Sequence, residues 1–356
     1  MNGYAAMIIA ALAALGITAL LGYALIPWLH KLKFGQIILD IGPSWHKHKQ
    51  GTPTMGGLMF IPGVLLSCGA VFLTDWLLGG KLLRPDAFFA QGFATKLGTG
   101  LLMAALFGLM GFLDDYIKVV KKRNKGLSIS QKTIMQLLIS LGYLSSLWLS
   151  MEKAPYTFIP FVGQVQLRWF FWIFAFVVVY ASTNAVNFTD GVDGLCSGVT
   201  LVAGVGFAVF AVMRGMFGAG VVAAAMAGGC AGFLIWNHNP AKVIMGDTGA
   251  LFLGGLVVAI SFTLDCPVIL LLMGLIYVIE GLSDVIQIGY FKLTHGKRIF
   301  KMAPIHHHFE MSGWNEKKIG LVFSLVQLLG VAAAIALLYF GLPILVRVAD
   351  SGAVVQ

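Results

Sequence analysis

Residues able to do chemistry gather in four short polar islands between long apolar runs. They are Asp114-Asp115-Tyr116, Asn187-Phe188-Thr189-Asp190-Gly191-Val192-Asp193-Gly194, Gly246-Asp247-Thr248-Gly249 and Pro304-Ile305-His306-His307-His308-Phe309-Glu310. Adjacent carboxylates at the end of an apolar run are costly near lipid unless something neutralises them. A divalent cation can do so, and Mg²⁺ characteristically takes one or two carboxylates together with phosphate oxygens. For Asp114 and Asp115 alone, a hydrated helix end flanked by Lys118, Lys121 and Lys122 is an equal alternative. Asp247 opens an apolar run, where a helix N-cap would suffice to explain it. However, Asn237, His238 and Lys242 lie within ten residues upstream, and Asn187, Asp190 and Asp193 add a further polar turn. His306, His307 and His308 are adjacent, so their side chains diverge and do not suit one zinc ion. Imidazoles paired with phosphate or carboxylate fit them better. Lys49-Gln50-Gly51-Thr52-Pro53-Thr54-Met55-Gly56-Gly57 looks like a phosphate-cradling turn, although it lacks the Walker A pattern.

The elements that position these islands are set by composition. Of 356 residues, 58% are hydrophobic and 11% charged, with mean hydropathy +0.88. Such a chain buries its apolar surface in lipid. Apolar segments long enough to cross ~30 Å of hydrocarbon recur along it. Ten spans are expected: 4–27, 55–77, 96–113, 131–150, 168–187, 195–213, 219–236, 249–265, 267–291 and 318–346. Glu280 and Asp284 within the ninth suggest a long, bent span. The segment 151–167 alternates around Gly163 and predicts a small β-hairpin near 155–167.

Five connections (28–54, 114–130, 188–194, 237–248 and 292–317), with a residue or two of flanking span, hold 17 of the 24 lysines and arginines and all eight histidines. The positive-inside rule places that face in the cytoplasm and both termini outside. The fold class is therefore an all-α polytopic membrane protein forming one catalytic domain over 1–356, its loops meeting on the cytoplasmic face. The net charge of +9 suits anionic headgroups and phosphorylated substrates, and without a soluble basic domain nucleic acid is not an expected partner. Cys68, Cys196, Cys230 and Cys266 have neither metal-ligand spacing nor a disulfide framework, and read as small core residues.

Taken in order, His46-x-x-Lys49-x-Gly-Thr-Pro-Thr-Met-Gly-Gly57, Asp114-Asp115-Tyr116, Asn187-x-x-Asp190-Gly-x-Asp193-Gly194, Asn237-x-x-Pro240, Gly246-Asp247-Thr-Gly249 and Pro304-Ile-His-His-His-Phe-Glu310 resemble the phospho-N-acetylmuramoyl-pentapeptide-transferase family across essentially the whole chain. The aspartate motifs are shared with the wider polyprenyl-phosphate sugar-1-phosphate transferases; the Pro-Ile-His-His-His-Phe-Glu and Gly-Thr-Pro-Thr-Met-Gly-Gly strings are more specific. The resemblance implies transfer of phospho-MurNAc-pentapeptide from UDP-MurNAc-pentapeptide to undecaprenyl phosphate, giving lipid I and UMP. It implies Mg²⁺ as cofactor, held by Asp247 and Asp115, and a cytoplasmic-face site in a bacterial plasma membrane.

Residue by residue, it implies Asp114 as base or orienting group for the lipid phosphate, supported by Asp115. It also implies phosphate steering by Lys49 and Lys132, and a nucleotide–sugar pocket lined by Asn187, Asp190, Asp193 and Asn237. His306 and His307 would face the diphosphate or sugar, while His308 orients the loop. A homodimer and inhibition by tunicamycin-like nucleoside antibiotics follow from the same resemblance. Ile244 departs from the aromatic expected to stack on uracil, Ala250 replaces a common Ser, and Trp45 precedes the loop histidine. The rival readings are a related UDP-N-acetylhexosamine:polyprenyl-phosphate transferase, and a secondary transporter using Glu280 and Asp284. The histidine string argues against the first. The absence of repeated halves argues against the second.

Overall fold

The structure is a computed structural model that describes residues 1–31, 51–85, 92–120, 126–150 and 156–341. It is helical apart from one hairpin. The apolar runs form α1 (Gly3–Lys31), α2 (Gly57–Leu77), α3 (Phe93–Val120) and α4 (Ile129–Ser150), followed by strands β1 (Tyr156–Ile159) and β2 (Gly163–Gln166). Next come α5 (Phe170–Thr189), α6 (Leu195–Met213), α7 (Phe217–Asn237) and α8 (Gly246–Thr263). The short α9 (Leu270–Met273), entered through a 3₁₀ turn at Pro267–Ile269, leads into α10 (Leu275–Leu293), α11 (Ile305–Glu310) and α12 (Glu316–Gly341).

Among the described residues, nine of these helices are long and apolar enough to cross a membrane. Segment 267–293 passes the same test only as a pair bent by 88°, which makes ten where the pair counts as one span. Gly274 interrupts the helix there, and the bend expected of the ninth span is present. Long apolar side chains such as Leu20, Trp76, Leu149 and Leu329 point outward and exposed, as a lipid-facing surface requires. The chain is a multi-pass membrane protein.

α8 is the hub. Of its apolar window 89% is buried inside the protein, against 33% for α1 and for α12. α7 is next at 78%, and its run of Gly and Ala permits close helix approach where lipid gives no hydrophobic drive. The expected hairpin is present in antiparallel register, Tyr156 opposite Gln166 and Ile159 opposite Gly163. It is tied to the far end of α8 by Phe158 N–H donating to the Asp265 carbonyl at 2.7 Å.

One boundary differs from expectation. The third span continues as helix to Val120, past the acidic pair, instead of stopping at 113. The extra turns are held by Lys118, four residues after Asp114 and three after Asp115, where helical spacing puts all three on one face.

Candidate active site

The first turn of α8 organises the site. A helix start leaves N–H groups without intrahelical partners and carries a partial positive charge. Met245, at the cap position, provides no side-chain hydrogen bond. Carboxylates from elsewhere in the chain take that place. Asp115 Oδ2, on α3, accepts from the Thr248 N–H at 2.9 Å and from Thr248 Oγ1 at 2.7 Å. Asp190 Oδ2, just after α5, accepts from the Gly246 N–H at 3.1 Å.

Two glycines make this approach possible. A Cβ on Gly111 would collide with the Asp247 carbonyl, so only glycine lets α3 lie against the start of α8. Gly246 has φ +73°, in the left-handed region that favours glycine, and a side chain there would press on Asp115 and Thr54.

One helical turn beyond Gly111, the ionic cluster assembles. Lys118 Nζ lies 2.6 Å from Asp114 Oδ2, 3.6 Å from Asp115 Oδ1 and 3.2 Å from Asp247 Oδ2. Lys132 Nζ lies 3.1 Å from Asp114 Oδ2 and 2.8 Å from Asp247 Oδ2. Lys132 is placed by a capping box at the start of α4: Gln131 N–H donates to Ser128 Oγ and Ser128 N–H donates to Gln131 Oε1. Asp114 Oδ1 also accepts from the Leu127 N–H at 2.7 Å, tying the approach to α4 onto α3. Asn187, in the last turn of α5, donates to Asp247 Oδ1 at 3.0 Å.

Four helices thus converge on Asp247. Its side chain keeps 17% exposure, while Asp114 and Asp115 are nearly sealed. Oxygens of Asp114, Asp115 and Asp247 all fall within 4.8 Å of one another, and the trio can hold a metal ion. Three carboxylates against two ammonium groups leave the cluster one negative charge in surplus. An all-carboxylate donor set of this kind suits a hard, oxygen-seeking divalent cation.

The remaining expected residues divide. Asp193 Oδ2 accepts from Asn239 Nδ2 at 3.1 Å and from the Ala241 N–H at 2.9 Å. Asn237 accepts from the Gly194 N–H and Ser197 Oγ and donates to the Val243 carbonyl. Both side chains therefore hold the loops 190–194 and 238–243 together. His306 and His307 sit on α11 with ring centroids 4.1 Å apart, and His307 Nδ1 is 2.6 Å from Glu310 Oε2. His306 is buried under Gly191, so the structure brings the histidine string to the Asn187–Gly194 turn. His308 Nδ1 accepts from the Lys301 N–H at 3.1 Å.

Lys49 lies outside the described residues, as do His46 and Trp45. The end of its loop is described, and it pairs with the strand-like segment before α8. Ile244 N–H donates to the Pro53 carbonyl at 2.8 Å and Gly56 N–H donates to the Ile244 carbonyl at 2.9 Å.

Sequence reasoning treated Lys118 only as a flanking charge and passed over Thr248. The spacing of Lys118 from Asp114 and Asp115 was a usable signal. Thr248 carried none, because its partner lies 133 residues away.

Comparison with known proteins agrees with this geometry. The profile of glycosyl transferase family 4 matches residues 98–265, and signature 1 of phospho-N-acetylmuramoyl-pentapeptide-transferase matches residues 49–61. The chain is 43% identical to the phospho-N-acetylmuramoyl-pentapeptide-transferase of Listeria welshimeri over 94% of its length and 99% of the relative's. It is 46% identical to that of Acetivibrio thermocellus over 87% and 88%, and 42% identical to that of Carboxydothermus hydrogenoformans over 88% and 96%. On this similarity across nearly its full length, the chain belongs to the phospho-N-acetylmuramoyl-pentapeptide-transferase family.

Proposed function

We propose that the protein transfers phospho-MurNAc-pentapeptide from UDP-MurNAc-pentapeptide to undecaprenyl phosphate, releasing UMP and forming lipid I at the cytoplasmic face of a bacterial plasma membrane. The observation that carries this reading is the convergence of Asp114, Asp115 and Asp247 with Lys118, Lys132 and Asn187 at one end of a membrane-spanning bundle. The full-length relatives favour it over the N-acetylhexosamine and transporter readings.

Both substrates are anionic, so the site's task is to bring phosphates together against their repulsion. Asp247 and Asp115, with Asp114 beside them, would hold Mg²⁺, which when bound neutralises the diphosphate and stabilises the departing UMP. Lys118 and Lys132 are about one-third exposed, and are the groups that can turn from carboxylate to phosphate as substrate enters. Lys49 serves the same end from the 49–57 loop. Asp114, fixed by the Leu127 N–H and both lysines, orients the lipid phosphate for attack on the β-phosphorus of the UDP-sugar. A phosphate with a second pKa near ~6 is largely dianionic at neutral pH, so direct attack needs little base catalysis.

Asn187 fixes Asp247, while Asp190, Asp193 and Asn237 shape the loops that would receive the nucleotide and sugar. His306 and His307 would face the diphosphate or sugar. Tunicamycin-like nucleosides would compete at the same pocket, and the active form would be a homodimer.

The test is UMP release by purified protein in detergent with undecaprenyl phosphate and Mg²⁺. UDP-MurNAc-pentapeptide and UDP-N-acetylglucosamine are supplied separately, with chelator and Asp247→Ala as controls. Turnover of the muramoyl substrate alone, abolished by both controls, is the expected result. Release only from UDP-N-acetylglucosamine would overturn the substrate assignment.

A further inference from the structure

Away from the aspartate cluster, α10 carries a buried carboxylate that the proposed chemistry does not use. Glu280 is fully buried within a membrane-spanning helix. One oxygen, Oε2, lies 3.0 Å from His306 Nδ1, and the other, Oε1, has no hydrogen-bond partner. His306 is itself 1% exposed, and its second ring nitrogen, Nε2, also lacks a partner. That nitrogen lies against Gly191, where any Cβ would overlap it, so the glycine is what lets the ring reach the turn between Asn187 and Gly194. A buried carboxylate in a membrane helix is expensive, and an apolar residue there would be cheaper if packing were its only task. Its one described polar partner is a histidine of a different element, 26 residues on.

We propose that Glu280 is the positioning residue for His306: it holds the imidazole in one tautomer and aims Nε2 at the 190–194 turn. In this assignment Glu280 Oε2 is the acceptor, so the proton resides on Nδ1 and Nε2 presents its lone pair. Nε2 so aimed meets the backbone at Gly191 and sets where the turn after Asn187 lies. Glu280 thus decides which nitrogen faces the turn, as partners behind metal-bound histidines do elsewhere. The assignment rests on the proposed transferase reading, in which His306 faces substrate.

The experiment is a double-mutant cycle with Glu280→Gln, His306→Gln and the double variant, read as UMP release, together with ¹⁵N spectra of the histidine rings assigned by the His306→Gln variant. Glutamine keeps the shape but can accept or donate, so the tautomer is released. Wild type is expected to show a protonated Nδ1 and unprotonated Nε2 at His306, and Glu280→Gln a mixture. Glu280→Gln is expected to lower kcat about 10- to 100-fold, the scale at which such orienting partners act, with KM for the nucleotide substrate unchanged. In the His306→Gln background the same change should have no further effect.

An equal loss in both backgrounds, full activity of Glu280→Gln, or a wild-type ring protonated at Nε2 with bare Nδ1 would each overturn the assignment. If Glu280→Gln does not fold, Glu280→Asp replaces it in the cycle and the wild-type spectrum still decides the tautomer. Absence of UMP release from wild type with any nucleotide sugar would defeat the transferase reading instead, leaving the spectroscopic result to judge the pair.

Discussion

Two ionic clusters sit at opposite ends of α8, which with 18 residues is about 27 Å long at ~1.5 Å per residue. At its first turn, three aspartates meet two lysines, and the lysines and Asp247 keep contact with solvent. Just past its last turn, Lys96 pairs with Asp265, and both are sealed at 1% and 2% exposure. Tyr156 on the hairpin donates to Asp265 Oδ2 at 3.1 Å, and Arg214 stacks over Phe158 nearby. Burial pushes the Asp265 carboxyl above its usual range, with Lys96 pulling the other way.

Both clusters use the same residue types, yet charge balance and access separate them. Lys96 and Asp265, with Arg214 close by, join α3 to the end of α8 away from water, and Tyr156 ties the hairpin to that pair. Three aspartates against two part-exposed lysines, open on one side, leave more carboxylate than ammonium, where a metal ion could be held. At the two ends of α8, charge balance and access, not burial, separate the site carboxylates from the structural one.

The sharpest way to break the comparison is to remove charge at each end. Asp247→Asn should lower UMP release by at least 10³-fold, about 4 kcal/mol of barrier. Its melting temperature in detergent should not fall, because a surplus charge has gone. A large loss of stability would make the two clusters alike after all.

Lys96→Met should do the reverse. Taking the ammonium from buried Asp265, which keeps Tyr156 and the nearby Arg214, should cost about 3 kcal/mol of stability, and Lys96→Met with Asp265→Leu should recover part of it. Thermal melting measures both variants, and KM of the folded fraction should stay unchanged.

Lys132→Met tests whether the open lysines serve substrate more than fold. A 10- to 100-fold fall in turnover, about 1.4–2.7 kcal/mol, should accompany less than about 1 kcal/mol of destabilisation for this part-exposed pair. A stability loss larger than the catalytic loss would assign Lys132 to the scaffold. The smallest effect is expected for Tyr156→Phe, which removes one hydrogen bond worth about 1 kcal/mol at the sealed end and leaves UMP release unaltered.

Much of this architecture is legible without coordinates, for physical reasons. A span needs only a long apolar run, so each crossing is a local property, and the hairpin around Gly163 follows from alternation and a turn residue. The acidic islands stand out because charge beside lipid demands an explanation. What escaped were boundaries and partners. Lys118 looked like hydration of a helix end until the helix was seen to continue through it. The loop ties made by the Asp193 and Asn237 side chains carried no signal in their spacing. Glu280, an ion-pathway acid only in the rival transporter reading, faces a histidine.

The amino-acid sequence by itself therefore determined a multi-spanning membrane enzyme of this family, with its hairpin, its bent ninth span and the polar islands from which the site is made. Hydropathy, turn chemistry and motif order are short-range properties of the chain. Only the tertiary structure decided that Asp115 would cap α8, that Lys118 and Lys132 would share Asp247, and that Lys96 would disappear into a pair with Asp265. Those pairings join residues up to 169 positions apart. They depend on how closely helices can approach, which glycines such as Gly111 permit, and on which buried charge each lysine can reach.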